Sequence, residues 1–123
     1  MSRVERRQSP RVKKTVPIKV KVPGIDLVTQ TKDISSLGAF CSVKQSIPLM
    51  TKLSITLLLP EHKKENNKIP HKIACQGVIV RSEESPKDNL FHIAIFFTQI
   101  REKDKSLLES FIEHHMKKEN LPG

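Results

Sequence analysis

The sequence is poor in the side chains that build several common kinds of site. Tryptophan and tyrosine are absent, and only five phenylalanines occur among 123 residues. Because single-stranded nucleic acids are often bound by stacking bases on aromatic side chains, the composition disfavours such a platform. No apolar run approaches the roughly 20 residues that a membrane-spanning helix needs, and the first residues are charged rather than apolar. We therefore expect a cytoplasmic protein with no membrane insertion.

Cysteine and metal-ligand patterns are equally sparse. Cys41 and Cys75 lie in strand-like apolar runs, where a free cysteine behaves as a small buried hydrophobe, and a reducing compartment disfavours a disulfide. The histidines form no metal-ligand spacing, since His114 and His115 are adjacent and so diverge on a helix. No phosphate-binding loop, Ser/Cys–His arrangement or carboxylate pair indicates catalysis. We expect no metal, no cofactor and no enzymatic activity.

The positive charge is concentrated near the N-terminus. The formal net charge is +9, and residues 1–24 contain eight basic residues against one acidic residue, a net +7. Such a concentration favours an anionic partner, although on charge alone a solubilising tail is an equally good explanation. Residues 1–14 also lack apolar periodicity, and Pro10 prevents a regular helix through their middle. We predict a flexible basic arm over residues 1–14.

The remainder of the chain alternates between apolar and polar residues in six short stretches, which is the pattern of half-buried β-strands. Gly77 interrupts the fifth stretch and indicates a bulge, where a barrel strand bends. The predicted strands cover about residues 15–22, 25–32, 39–43, 53–59, 71–82 and 90–97.

The period changes to that of a helix near the end of the chain, over about residues 102–118. The predicted apolar stripe consists of Leu107, Leu108, Phe111, Ile112 and Met116, and the predicted outer face carries Glu102, Lys103, Asp104, Glu109 and Glu113. Six strands followed by one helix predict a mainly β fold: a six-stranded antiparallel barrel with a C-terminal α-helix. We expect a single domain over residues 15–118 and a short tail over 119–123.

Three arginines in the predicted arm form the first candidate binding motif. Arg7 and Arg11 are four residues apart, and Arg6 precedes them. A guanidinium is planar, keeps its charge, bonds phosphate oxygens in pairs and pairs with O6 and N7 of guanine. These side chains therefore suit a ligand that carries both phosphate and guanine.

A turn between the second and third predicted strands forms the second candidate motif. Its Asp33 carboxylate can accept hydrogen bonds from N1–H and N2–H₂ of guanine, which a site for phosphate alone would not need. Ser35 and Ser36 can add hydroxyl contacts, and Gly38 can take positive φ and allow close approach of the backbone. The two motifs together predict a receptor for a small, doubly charged ligand that contains guanine.

Both motifs, in this order, resemble those of a PilZ domain. The R-x-x-x-R motif of that family matches Arg7 and Arg11, and its D/N-x-S-x-x-G motif matches Asp33, Ser35 and Gly38. The resemblance covers nearly the whole chain.

Two later stretches, residues 77–81 and 91–97, are similar to the later strands of the family, which often has glycine where this chain has Ala94. The resemblance implies a bacterial receptor for the second messenger cyclic di-GMP. Arginine just before R-x-x-x-R, as Arg6 stands here, implies a stacked pair of ligand molecules rather than one.

A loose arm that folds over its ligand would present a changed surface to a partner protein, and we expect an effector protein of unidentified kind. Two alternatives stay open from the sequence. A small basic barrel could instead bind nucleic acid through its phosphates, which we do not favour, or the fold could serve as a protein-interaction adaptor. Arg81 could reach the ligand from the end of its strand, although a surface role is the simpler interpretation.

Overall fold

The computed structural model describes residues 10–60 and 71–119, with side chains described as far as residue 116. Six strands precede one helix in the chain. Their bounds are β1 Pro17–Val22, β2 Ile25–Ile34, β3 Gly38–Val43, β4 Lys52–Leu59, β5 His71–Ser85, β6 Leu90–Ile100 and α1 Glu102–Glu119.

The strands close into an antiparallel barrel in the order β1-β2-β3-β6-β5-β4. β1 pairs with both β2 and β4, so the first strand completes the closure. Closure removes the free sheet edges that would otherwise expose unpaired backbone groups. The predicted fold class, a six-stranded antiparallel barrel with a C-terminal helix, is confirmed.

The strands β2, β5 and β6 each extend two or three residues beyond the ends that their apolar patterns indicated. The β5–β6 hairpin continues to the pair Ser85 and Leu90, with Glu83 and Glu84 still in register, because ladder hydrogen bonds persist beyond the core where polar side chains face solvent. A strand end made of polar residues shows no alternation between apolar and polar residues, so its sequence does not reveal it. A register shift lies between Gln76 and Gly77, but its extra residue is Thr98 of β6, so the bulge is on the partner strand and not at Gly77 as predicted.

Aliphatic side chains fill the barrel. The largest fully buried ones include Ile18, Ile34, Leu53, Ile55, Leu57, Ile73, Ile79 and Ile93. Cys41 and Cys75 are both free and buried among them, as predicted. Burial raises the pKa of each thiol to about 12, and the charge of Asp104 adds to the effect on Cys75. Both thiols therefore stay neutral and inert near pH 7.

The helix packs its apolar stripe on the core. Leu108, Phe111 and Ile112 are buried, and Leu107 and Met116 are partly buried against the same cluster. Asp104 was expected on the outer face, and that prediction is wrong: the residue is buried. Its carboxylate accepts hydrogen bonds from Arg101 at 3.3 and 3.4 Å, in a first turn where negative charge suits the helix dipole. Within the described ranges, no helix is both long enough and apolar enough to cross a membrane.

The segment before β1 joins the barrel earlier than its composition suggests. Thr31 of β2 is buried and fixes this segment by three hydrogen bonds: its Oγ1 donates to the carbonyl of Lys14 at 2.7 Å and accepts from the amide of Val16 at 3.0 Å, and its amide donates to the Val16 carbonyl at 2.9 Å. Of the predicted arm over residues 1–14, residues 1–9 lie outside the described residues, and their flexibility stays a prediction.

Candidate ligand-binding site

Arg11 is held next to the end of β2 by the residue that follows it. Val12 is fully buried and forms an isolated bridge with Ile34, in which each amide donates to the carbonyl of the other at 3.0 Å. An apolar side chain in the core and two backbone hydrogen bonds fix this point of the chain. Arg11 therefore lies beside the barrel, with 62% of its side chain exposed.

A bulge in β2 places Asp33 on the outside of the barrel. Thr31 pairs with Cys41, whereas Asp33 pairs with Phe40, so Lys32 is an extra residue in β2. Without it, Thr31 and Asp33 would face the same side of the sheet, because side chains alternate along a strand. The extra residue changes the phase, so that Thr31 and Ile34 are both buried and Asp33 is turned towards the surface.

The two candidate motifs meet at these residues. Arg11 Nη1 lies 3.5 Å from Asp33 Oδ1. That distance exceeds the 2.7–2.9 Å typical of a charge-assisted hydrogen bond. The same Asp33 oxygen is buried and accepts no hydrogen bond within the described part of the chain. The pair is thus a loose electrostatic contact, and with one partner largely exposed it contributes less than about 1 kcal/mol to folding.

Ser35 has its hydroxyl engaged inside the turn between β2 and β3. Its Oγ accepts hydrogen bonds from the amides of Leu37 at 3.1 Å and Gly38 at 3.2 Å, and its own amide donates to the Gly38 carbonyl at 2.9 Å. The residue is buried. Serine is suited to this position because a short hydroxyl side chain reaches nearby backbone amides. Ser35 therefore shapes the turn.

Gly38 serves a different purpose from the one expected. A glycine can take positive φ here, but Gly38 does not use that freedom: in the described residues, Gly24 is the glycine with positive φ. Gly38 begins β3 and pairs with Phe96 of β6. A Cβ atom at this position would clash with the Ile95 carbonyl oxygen. The glycine is needed because β3 and β6 approach closely here.

A shallow cavity of about 270 Å³ opens beside the ion pair. Its lining combines polar and apolar groups: Arg11, Ser35, Leu37, Gly38, Ala39, Val80, Ala94, Ile95 and Phe96. The cavity thus brings the first motif, through Arg11, to the second motif, through Ser35 and Gly38. Asp33 adjoins it through its contact with Arg11.

The remaining predicted site residues stand apart from this lining. Ser36 lies in the turn and Arg81 in β5, and neither is among the residues that line the cavity. Arg6 and Arg7 lie outside the described residues. The sequence did not point to Leu37, Val80 or Phe96. A leucine within a polar turn was an available signal, but Val80 ends a continuous apolar run over residues 78–80, whose pattern does not show which residue faces solvent.

The fold and the cavity define a class of protein before any comparison: a small closed barrel with a mixed-polarity surface site at a strand junction. The model of the PilZ domain family matches residues 5–114. The chain therefore belongs to the PilZ domain family, as its motifs indicated. PilZ domains are receptors for cyclic di-GMP and are generally non-catalytic.

Solved structures share the fold. The Bacillus subtilis inhibitor of motility MotI/DgrA matches with a TM-score of 0.80 at 17% identity, over 98% of this chain and 54% of that chain. The K. pneumonia MrkH–c-di-GMP complex gives 0.69 at 16%, over 92% of this chain and 52% of that chain. The PilZ domain of Escherichia coli YcgR with c-di-GMP gives 0.57 at 12%, over 94% and 99%.

These identities show likeness of fold alone. The chain spans about half the length of the MotI/DgrA and MrkH chains that it matches. A comparison with curated proteins found no match.

The close approach at Gly38 predicts a structural effect of a single methyl group. Gly38→Ala should lower the free energy of unfolding by about 1–3 kcal/mol or more, since the added Cβ must displace the backbone of β6. Gly24→Asn is the matched control, because its site is open and asparagine tolerates positive φ. Urea unfolding measures both variants. A Gly38→Ala protein as stable as the wild type would show that β3 and β6 do not approach so closely.

Proposed function

We propose that this chain is a non-catalytic receptor for cyclic di-GMP, which it binds between the N-terminal arginines and the turn after β2. The proposed binding residues are Arg6, Arg7, Arg11, Asp33, Ser35, Ser36 and Gly38. Membership of the PilZ family supports this ligand, and so does the likeness of fold to the MrkH and YcgR structures that contain c-di-GMP.

The observation that carries the proposal is the contact between the two motifs. Arg11 belongs to the first and Asp33 to the second, and their charged atoms are 3.5 Å apart beside the cavity. A guanidinium and a carboxylate at this spacing present donors and acceptors together. A phosphate needs only donors, whereas the Watson–Crick edge of guanine also offers N–H donors that need an acceptor.

Ligand binding in this site exchanges one electrostatic contact for two. Arg11 turns its fork towards a phosphate or towards O6 and N7 of guanine, and Asp33 accepts from N1–H and N2–H₂. The cost of separating the pair is small, because Arg11 is largely exposed and its contact with Asp33 is long. The Asp33 oxygen then gains the hydrogen bonds that it does not accept from the described part of the chain.

Ser35 and Gly38 support the site from beneath. Both are committed to the turn by backbone contacts, so their contribution to binding is to hold Asp33 and the cavity floor in place. Arg6 and Arg7 add positive charge that complements the second phosphate, and Arg6 favours a stacked pair of ligand molecules.

The signal leaves the domain through the arm in this proposal. Binding draws residues 1–9 over the ligand and so creates a new surface for an effector protein, at the entropic cost of ordering the segment. Amide exchange of residues 1–9 should therefore slow when saturating cyclic di-GMP is added. Equal exchange with and without ligand would contradict this route for the signal.

A calorimetric titration tests the function as a whole. The purified protein should bind cyclic di-GMP, with a stoichiometry near two ligands per chain for a stacked pair, and should bind cyclic di-AMP far more weakly. A short oligonucleotide is the second control. Comparable affinity for the oligonucleotide, falling steeply with salt, would indicate a nucleic-acid-binding module instead.

Loss of either motif arginine should weaken binding. Arg7→Ala or Arg11→Ala removes at least one charge-assisted contact, worth roughly 1.5–3 kcal/mol, so the affinity should fall by about one to two decades. Lys19→Ala is the matched control, because this substitution removes the same unit of positive charge. Lys19 is exposed on β1, which does not line the cavity. Affinities of Arg7→Ala and Arg11→Ala equal to that of the control would refute the arginine site.

Loss of the carboxylate should affect guanine recognition selectively. Asp33→Asn keeps the size of the side chain but replaces one acceptor oxygen by a donor, which opposes the N–H groups of guanine. The affinity for cyclic di-GMP should fall by about tenfold or more, while the weak binding of cyclic di-AMP should change little. Competition titrations measure the ratio of the affinities for cyclic di-GMP and cyclic di-AMP. An equal proportional loss for both nucleotides would assign Asp33 a structural role.

A further inference from the structure

Three exposed apolar side chains gather at the cavity beside Arg11. Exposed large apolar residues of the described chain are few: Val28, Leu37, Leu49, Met50, Val80 and Phe96. Leu37, Val80 and Phe96 come from the β2–β3 turn, β5 and β6, and all three line the same cavity. Single exposed apolar residues are ordinary, but a cluster around a concave site usually marks a contact surface.

Val80 lies at a bulge in β5 and faces outward. Ile79 pairs with Ile95 and Arg81 pairs with Ala94, so Val80 is an extra residue in β5. Val80 follows the buried Ile79 and is half exposed, and because of the bulge Arg81 faces solvent as well. A bulge that re-aims a side chain beside a site is a common functional device in sheets.

The floor between the three apolar side chains is made of small residues. Gly38 pairs directly with Phe96 and has no side chain, and Ala94 adds a small, partly exposed side chain to the lining. Large walls on a small-residue floor leave a slot. At about 270 Å³ the slot lies just below the 300–1,000 Å³ of typical ligand pockets, so it accommodates one base rather than a whole dinucleotide.

We propose that Leu37, Val80 and Phe96 form an apolar wall that holds the face of one guanine of the ligand, with the Phe96 ring stacked on that base. Asp33 and Arg11 then contact the edge and the phosphate of the same nucleotide, since Arg11 lines the slot and Asp33 adjoins it through its contact with Arg11. This assignment rests on the proposed function. Phe96 is the only aromatic residue among the described residues that line the cavity.

Stacking and ion pairing respond differently to salt, and the difference separates the two roles. Contacts between exposed charges are screened as ionic strength rises, whereas stacking of a neutral ring is not. The factor by which Phe96→Ala weakens binding should therefore stay constant between low and high salt. The factor for Arg11→Ala should shrink over the same range.

Titration of the full chain with cyclic di-GMP tests the wall. Phe96→Ala should weaken binding by about tenfold or more, as removal of a stacked aromatic typically does, and Phe96→Tyr should restore it. Val28→Ala is the matched control, because Val28 is 74% exposed and lies on β2 outside the lining. Ala94→Leu should also weaken binding by filling the floor of the slot. Thermal melting confirms that each variant is folded.

Each result has a definite meaning. Wild-type binding together with Phe96→Ala and Ala94→Leu affinities equal to that of Val28→Ala overturns the apolar wall and leaves the receptor function intact. A wild-type protein that fails to bind cyclic di-GMP overturns both. Weakened binding in Phe96→Ala that Phe96→Tyr does not restore also overturns stacking.

Discussion

The candidate site depends on one short backbone bridge. Val12 and Ile34 exchange two hydrogen bonds at 3.0 Å while both side chains are buried in the core. This bridge fixes the chain one residue after Arg11 and one residue after Asp33. Two charged residues that are 22 positions apart in the sequence therefore lie side by side at the end of β2. Weakening the bridge would release the arginine from its partner without any change in either charged residue.

The two motifs divide their residues between architecture and recognition. Ser35 and Gly38 are engaged by the turn and by the close approach of β3 to β6. Arg11 and Asp33 are the members that keep charged atoms beside the cavity. A spacing pattern such as D-x-S-x-x-G thus records the requirements of a turn as well as those of a ligand. Its serine and glycine identify the position of the site, and its carboxylate supplies the chemistry.

Much of the fold could be predicted from the sequence because alternation and helical period are direct results of burial. The six strands, the C-terminal helix and the buried Cys41 and Cys75 follow from such patterns and from the family resemblance. The bulges at Lys32 and Val80 could not be predicted, since each depends on the register of a partner strand. The burial of Asp104 was missed because an aspartate is usually exposed unless it is paired. Here Arg101 compensates the charge and so permits burial.

The same limit applies to the site. The residue types of Arg11 and Asp33 indicated phosphate and guanine, but their contact is a property of the folded chain. Apart from the leucine within the polar turn, the apolar side of the cavity had no sequence signal, because Leu37, Val80 and Phe96 lie on three separate elements and become neighbours only in the barrel. Polar motifs are local in sequence, whereas the surfaces that complete them are assembled by topology.

A double-mutant cycle between Arg11 and Asp33 tests the central claim most directly. Calorimetry would give the affinity for cyclic di-GMP of the wild type, Arg11→Ala, Asp33→Ala and the double variant. If both residues form one site, their effects should be coupled by about 0.5–3 kcal/mol, as is usual for residues in contact. Strictly additive effects, or single variants that bind as tightly as the wild type, would contradict the account.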